Sequence, residues 1–277
     1  CKYDTVVTSL YKVLLRQLVS CDDGIAAVGT ALGSNIINIL LILGLAALVR
    51  PFTVHSDVLR RELPLMLLVS VVAGSVLYDG QLSRSDGIFL LFLAVLWLLF
   101  IVKLARQAER QGTDSLTREQ LAELPRDGGL PVAFLWLGIA LIIMPVATRM
   151  VIDNATVLAN YFAISELTMG LTAIAIGTSL PELATSVVSA LKKNPDIAIG
   201  NIVGSNLFNI LAIAGTSSVV SPIAAKNVNY VDLLVMLGLT LLLLPLVKSG
   251  QKISRAEGWA LILVYLCYLA WLLRDLI

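Results

Sequence analysis

Glu182 lies within a long apolar stretch, residues 161–191, together with two hydroxyl side chains that could help it to bind a cation. Thr178 and Ser179 precede the carboxylate by four and three residues, and these spacings share one face of a helix. Pro181 has no backbone N–H, so the carbonyl four residues earlier lacks its helical partner. Carboxylate, hydroxyl and carbonyl oxygens are hard ligands that suit Na⁺ or Ca²⁺. The stretch therefore predicts a cation site in a helix that is broken near the proline.

The composition is that of a polytopic membrane protein. Of 277 residues, 58% are hydrophobic and 14% are charged, with a mean hydropathy of +0.89, whereas a soluble domain has about 25% charged residues. We predict an all-α protein forming one bundle of about eight spans, each close to the roughly 20 residues that a crossing needs. The predicted spans are 25–49, 58–78, 86–103, 131–149, 161–191, 197–221, 230–247 and 257–274. The net charge of +1 does not indicate a nucleic-acid partner, and we predict none.

The polar residues 104–130 form the main predicted loop and divide the chain almost in half. The loops on the side of this segment hold thirteen basic residues, whereas the loops and the C-terminal tail on the other side hold four. Basic loops are retained in the cytoplasm. We therefore predict that the 104–130 loop is cytoplasmic and that the C-terminus lies outside.

Two segments that lie 171 residues apart share a pattern of glycine, serine and asparagine. Residues 29–51 read GTALGSNIINILLILGLAALVRP and residues 200–222 read GNIVGSNLFNILAIAGTSSVVSP, with 11 of 23 positions identical. The shared glycines and polar residues carry the similarity, because apolar helices often share leucine and isoleucine by chance. The predicted topology makes the first copy run inward and the second outward. The repeats are therefore predicted to be inverted, which is the arrangement that gives alternating access to a midplane site.

Each copy places a serine and an asparagine four residues apart on one helix face, Ser34 with Asn38 and Ser205 with Asn209. One interpretation is helix packing, in which glycines allow close approach and amides form hydrogen bonds between helices. The other is cation ligation or pore lining, which the two inverted copies and the nearby intramembrane Glu182 favour. We expect the glycines to pack in either case.

Residues 177–182 (GTSLPE), followed by 200–209 (GNIVGSNLFN), resemble the second α-repeat of the cation/Ca²⁺ exchanger superfamily, particularly its bacterial inner-membrane sodium/calcium antiporters. The resemblance covers most of residues 24–277 and implies ten helices in two inverted five-helix repeats. About eight full spans and a degenerate N-terminal segment correspond to them here. By position, the resemblance implies that these residues bind cations: Glu182, Thr178, Ser179, Ser205 and Asn209 in the second repeat, and Ser34 and Asn38 in the first. It also implies the carbonyl of Ala175 or Thr178 as a ligand.

The N-terminal residues depart from the pattern of the family. The resemblance implies a second G-T-S-x-P-E element in the first repeat, but residues 1–24 contain none, and Tyr11 aligns with Glu182. Asp22 and Asp23 are the nearest acids, and we interpret them as solvated caps. A site with one carboxylate is expected to bind Ca²⁺ more weakly than a site with two. The predicted division is an atypical N-terminal segment (1–24), an incomplete first repeat (25–103), the loop (104–130) and a second repeat (131–277).

The predicted function is secondary active transport that exchanges Ca²⁺ for Na⁺ or H⁺ across the bacterial inner membrane. The alternative is an exchanger-like membrane protein that transports poorly or not at all because it lacks the first-repeat carboxylate. A passive channel is disfavoured because no segment resembles a symmetric filter loop. We do not predict an enzyme, since Ser179 has no base nearby to activate it. No cofactor is predicted besides the transported ions, and the sequence does not define an oligomeric state.

Overall fold

The computed structural model of the chain describes residues 24–53, 57–111, 166–224, 230–248 and 252–274, with isolated helical positions between 132 and 161. The labelled α-helices are α1 (Gly24–Ile37), α2 (Leu43–Val49), α3 (Asp57–Val76), α4 (Arg84–Gln111), α5 (Glu166–Met169), α6 (Ala175–Thr178), α7 (Leu180–Leu191), α8 (Pro195–Phe208), α9 (Gly215–Val220), α10 (Tyr230–Lys248) and α11 (Arg255–Leu272). Three π-helical segments connect some of them without a turn: π1 (Asn38–Ile42), π2 (Gly170–Ile174) and π3 (Asn209–Ala214). A 3₁₀ turn (Leu77–Asp79) follows α3.

The predicted membrane spans are largely confirmed. Helical segments of sufficient length and apolarity are Val28–Val49, Glu62–Asp79, Arg84–Leu104, Pro195–Val220 and Arg255–Leu272. One further crossing is a bent pair, Gly170–Thr178 with Leu180–Leu191, and the apolar part of α10, Val231–Pro245, is shorter. The span predicted at 131–149 falls among the isolated helical positions, and most of it lies outside the described residues.

The two copies of the repeat occupy the inside of the bundle. In Val28–Val49, 78% of the most apolar window is buried, and in Pro195–Val220 56% is buried, compared with 22% for Arg84–Leu104 and 28% for Arg255–Leu272. The outer pair, in α4 and α11, therefore presents mostly apolar side chains to the surroundings. The inner pair carries most of the polar residues that the sequence analysis selected, so those side chains lie inside the protein.

The helix break predicted near Pro181 is present, with a bend of 52°. α6 ends at Thr178, Ser179 leaves the helical conformation, and α7 begins at Leu180 with Pro181 in its first turn. A proline is tolerated there because the N–H groups of a first turn have no intrahelical acceptor. The break places Glu182 in the first turn of α7, where the helix dipole favours a negative charge.

Four two-residue strands in the described residues relate the two repeats by a two-fold symmetry: β1 (Phe52–Thr53), β2 (Gln81–Leu82), β3 (Ile223–Ala224) and β4 (Lys252–Ile253). β1 pairs antiparallel with β4, and β2 with β3. Phe52 lies opposite Ile253 and Ile223 opposite Leu82, so a shift of 171 residues converts one pair into the other. The all-α fold class is confirmed. These short strands were not predicted, because an alternating pattern cannot be recognised over two residues.

Glycines bring α2 close to α11 and α9 close to α4. A Cβ built on Gly258 would lie 2.8 Å from the carbonyl oxygen of Gly44, and one on Gly87 would lie 2.7 Å from that of Gly215. Gly87 and Gly258 are separated by 171 residues, as are Gly44 and Gly215. The sequence predicts close packing at Gly29, Gly33, Gly200 and Gly204, and it is confirmed at Gly33, where a Cβ would lie 2.7 Å from Leu171 Cα. The contacts at Gly44 and Gly215 were not predicted.

α4 extends past the predicted start of the main loop. The apolar span ends at Leu104, but the helix continues to Gln111. Arginine, glutamine, alanine and glutamate in this stretch all have high helix propensity, so the helix continues beyond the apolar span. Residues 112–130, which form most of the predicted loop, lie outside the described residues.

Candidate cation site

Glu182 has one carboxylate oxygen without a hydrogen-bond donor. Ser205 Oγ donates to Glu182 Oε1 at 3.2 Å, whereas Oε2 is buried and accepts no hydrogen bond from the described residues. Burying a carboxylate oxygen without a partner is costly, and the cost is removed when a cation binds to it. This geometry makes Glu182 and Ser205, both predicted ligands, the charged end of a candidate cation site.

Asn201 holds the start of α7 against α8. Its Nδ2 donates to the backbone carbonyl of Glu182 at 3.2 Å and to Ser186 Oγ at 3.3 Å. Ser186 is fully buried, so this contact lies inside the helix interface. The two hydrogen bonds fix the backbone that carries the carboxylate. Asn201, which donates them, lies on the same helix as Ser205.

Asn38 supplies a second buried oxygen without a donor. Its Nδ2 donates to Asn206 Oδ1 at 2.9 Å, and its Oδ1 accepts no hydrogen bond from the described residues. Within that part of the chain, the other buried polar atoms without a partner belong to Trp97, Ser217 and Tyr265 and are all able to donate. The two purely accepting oxygens therefore belong to predicted ligands, one from each repeat.

Asn209 makes the hydrogen bond equivalent to that of Asn38, but from the second repeat to the first. Its Nδ2 donates to Asn35 Oδ1 at 3.1 Å, and Asn35 Nδ2 donates to the backbone carbonyl of Asn206 at 3.2 Å. π1 begins at Asn38 and π3 at Asn209, which are equivalent positions of the two repeats. π-Helical turns are rare in proteins overall, but those that occur are often found at functional sites, because they interrupt the regular hydrogen bonding of the helix.

Ser34 and Thr178 join the first repeat to the helix before the break. Their hydroxyl oxygens lie 3.2 Å apart, and Thr178 Oγ1 donates to Ile174 O at 3.0 Å and lies 3.2 Å from Ala175 O. Ser179 is buried, and its backbone N–H donates to Ala175 O at 3.1 Å. A cation at the Ala175 carbonyl would therefore share that oxygen with protein donors.

One turn of α8 connects four of the eight predicted ligands, Glu182, Ser205, Asn38 and Asn209, whereas Ser34, Thr178, Ser179 and Ala175 form a second group beside the helix break. Ser205 contacts Glu182, and the next residue, Asn206, contacts Asn38. Sequence reasoning missed Asn35, Asn206 and Asn201 as parts of this network. Asn35 and Asn206 are identical in the two copies of the repeat, which was a usable signal. No group of three or more His, Cys, Asp or Glu side chains is present in the described residues.

An inverted-repeat bundle with polar oxygens around a buried carboxylate defines a membrane cation transporter. A family model described as "Sodium/calcium exchanger protein" matches residues 7–103 and 132–274. The chain belongs to this family, and the resemblance inferred from residues 177–182 and 200–209 is confirmed. It is a multi-pass membrane protein.

Individual relatives agree with the family. The chain is 81% identical over 219 residues to Inner membrane protein YrbG of Escherichia coli (strain K12), covering 79% of this chain and 67% of the relative. It is 40% identical over 247 residues to Putative antiporter CaxA of Alkalimonas amylolytica, covering 87% and 76%. A solved structure of the sodium-calcium exchanger NCX_Mj matches with a TM-score of 0.68 at 28% identity, over 94% of this chain and 80% of that one. The alternative of a non-transporting protein is not favoured.

Proposed function

We propose that this protein exchanges Ca²⁺ for Na⁺ or H⁺ at the site around Glu182. The observation that carries the proposal is the buried Glu182 Oε2, which has no donor in the described residues although the neighbouring Oε1 has Ser205. The relatives support the choice of ions, since NCX_Mj is named a sodium-calcium exchanger and CaxA a putative antiporter. Calcium and sodium both prefer oxygen ligands of the kind gathered here.

Binding would exchange internal hydrogen bonds for ion contacts. Glu182 supplies the negative charge. When the hydrogen bond from Ser205 Oγ to Oε1 breaks, the hydroxyl can rotate and direct its lone pairs toward the ion. Asn38 Oδ1 is already without a donor in the described residues and needs no rearrangement. Ser34, Thr178, Ser179, Asn209 and the Ala175 carbonyl complete the proposed set of ligands. Because Na⁺ and Ca²⁺ would use overlapping oxygens, the binding of one excludes the other.

Transport would follow from inverted repeats that move around this site. The bend between α6 and α7 interrupts the backbone next to Glu182, and broken helices allow each half to shift separately. The two tight glycine contacts join α2 to α11 and α9 to α4, so each pair would move as a unit. We place this exchange in the bacterial inner membrane, with the 104–130 loop in the cytoplasm and the C-terminus outside.

The direct test is ⁴⁵Ca²⁺ uptake into proteoliposomes loaded with Na⁺, with and without an outward Na⁺ gradient. We expect gradient-dependent uptake by the wild-type protein and background uptake by Glu182→Gln, because the amide removes the only charge proposed for the site. Glu257→Gln is the matched control. Glutamine can replace glutamate in the capping box of α11, so this variant should transport normally.

Replacing the Na⁺ gradient by a proton gradient in the same vesicles identifies the driving ion. Uptake by the folded Glu182→Gln variant at the wild-type rate would show that Glu182 is not a ligand. Absence of uptake by folded wild-type protein with either gradient would contradict the proposed exchange.

A further inference from the structure

We propose that Asn35 and Asn206 are positioning residues that orient the amides of Asn209 and Asn38, so that the oxygens of these two amides face the cation. The inference rests on the proposed function and adds two residues to it. Asn35 and Asn206 are each 1% exposed and do not need to touch the ion. Their contacts determine which end of each ligand amide points into the site.

The backbone fixes the orientation of the Asn35 amide. The carbonyl of Asn206 can only accept, so the Asn35 atom that lies 3.2 Å from it must be the nitrogen. The other end of the amide is therefore Oδ1, which can only accept, and it accepts the Asn209 Nδ2–H at 3.1 Å. Since the nitrogen of Asn209 is used in this bond, its oxygen is the end left for a cation.

Asn206 performs the same task for Asn38. Its Oδ1 accepts the Asn38 Nδ2–H at 2.9 Å, and Asn38 Oδ1 is left buried and without a donor in the described part of the chain. If the Asn38 amide were reversed, an N–H would point into the site and repel a cation. The hydrogen bond to Asn206 therefore favours the orientation that can bind an ion.

The two contacts cross between the repeats. Asn38 of the first repeat is held by Asn206 of the second, and Asn209 of the second is held by Asn35 of the first. A shift of 171 residues converts Asn35 into Asn206 and Asn38 into Asn209. Each repeat thus orients a ligand of the other, and the site is complete only when both repeats are in register.

The test compares Asn206→Leu, Asn35→Leu and Asn206→Asp in Na⁺-loaded proteoliposomes, with ⁴⁵Ca²⁺ concentration varied. Leucine removes the acceptor, whereas aspartate keeps an oxygen for the Asn38 N–H. We expect each leucine variant to raise the half-saturating Ca²⁺ concentration by about 10-fold or more, with a smaller change in maximal rate. Asn206→Asp should lie within about 3-fold of wild type. If a leucine variant does not fold, the alanine variant removes the same acceptor.

Thr240→Val is the control for a buried polar group outside the site. Thr240 is 2% exposed, and its hydroxyl donates only within its own helix, to Met236 O at 2.9 Å. Half-saturation in this variant should equal that of wild type. The inference is overturned if the leucine variants match Thr240→Val, or if Asn206→Asp fails as completely as Asn206→Leu, since the acceptor is then irrelevant.

A second readout separates this inference from the exchange itself. If wild-type protein does not transport Ca²⁺, the exchange proposal fails, and thermal stabilisation by Na⁺ or Ca²⁺ then tests ligand positioning alone. Cation-dependent stabilisation that is present in wild type and Thr240→Val but lost in Asn35→Leu and Asn206→Leu would support the positioning role. Equal stabilisation in all four proteins, or none in wild type, would overturn it.

Discussion

The two repeats hold their outer helices with the same kinds of contact, namely capping boxes, short strand pairs and glycine packing, but they differ near Glu182. α4 and α11 both begin with a capping box: Ser83 N donates to Asp86 Oδ2 at 2.8 Å, and Ser254 N donates to Glu257 Oε2 at 2.6 Å. In both helices the backbone N–H of the acidic residue returns a hydrogen bond of 3.3 Å to the serine hydroxyl. The short strands and the glycine contacts follow the same symmetry.

The repeats differ at a polar position in the middle of α1 and α8. Asn201 bonds the backbone of Glu182, and its equivalent in the first repeat is Thr30. The contacts that keep the helices together are thus duplicated, whereas the amide that holds the backbone of Glu182 in the second repeat is replaced by a threonine in the first. The symmetric part can support two related conformations, while the carboxylate of the site in the described residues belongs to the second repeat.

The largest effect is expected from filling the glycine contacts. In Gly87→Ala and Gly258→Ala the new methyl group would meet the backbone of Gly215 or Gly44, so the helix pairs must separate. Overpacking of this kind costs about 1–3 kcal/mol. The symmetry predicts similar losses for both variants, measured as the unfolding midpoint of purified protein in detergent.

Gly238→Ala is the control for the glycine variants. A Cβ there would have no described heavy atom within 4 Å, so the variant should keep or slightly raise the stability of α10. A lower unfolding midpoint in Gly87→Ala without one in Gly258→Ala would show that the two contacts do not contribute equally to stability. No loss in either would contradict the role of close packing.

The bundle and the carboxylate could be predicted from the sequence because their signals are local. Long apolar spans indicate the crossings, and a glutamate beside Pro181 within one of them indicates both the break and the charge. The repeat predicted Ser34, Asn38, Ser205 and Asn209 as a group.

The orientation of those ligands could not be predicted, because it depends on contacts across more than 160 residues. Asn35 and Asn206 share a face with other polar residues, and nothing in their spacing shows that each accepts from an amide of the opposite repeat. The paired strands were missed for a related reason: each is only two residues long and its partner is far away in sequence. Local periodicity predicts individual helices, whereas the amide orientations and the strand pairs arise only when segments far apart in sequence pack together.

A smaller effect is expected from removing the caps. Ser83→Ala and Ser254→Ala each leave the start of one outer helix without its side-chain acceptor, at a typical cost of about 1 kcal/mol. The two losses should be similar in thermal unfolding, and they should add in the double variant because the caps belong to different helices. Clearly unequal losses would show that one repeat depends more on its outer helix than the other.

The smallest effect is expected from making the second repeat resemble the first at its main point of difference. Asn201→Thr removes the amide that joins the Glu182 carbonyl to Ser186, so the start of α7 is held less firmly. Threonine keeps one hydroxyl donor, so the net loss is about one hydrogen bond, worth about 0.5–1.5 kcal/mol, and it should raise the half-saturating Ca²⁺ concentration by about 2- to 10-fold. The carboxylate remains, so maximal uptake should change little, unlike in Glu182→Gln. The reciprocal variant Thr30→Asn should leave half-saturation unchanged, since the carboxylate lies beside position 201. An equal shift in both variants would mean that the difference between the repeats at this position does not serve Glu182.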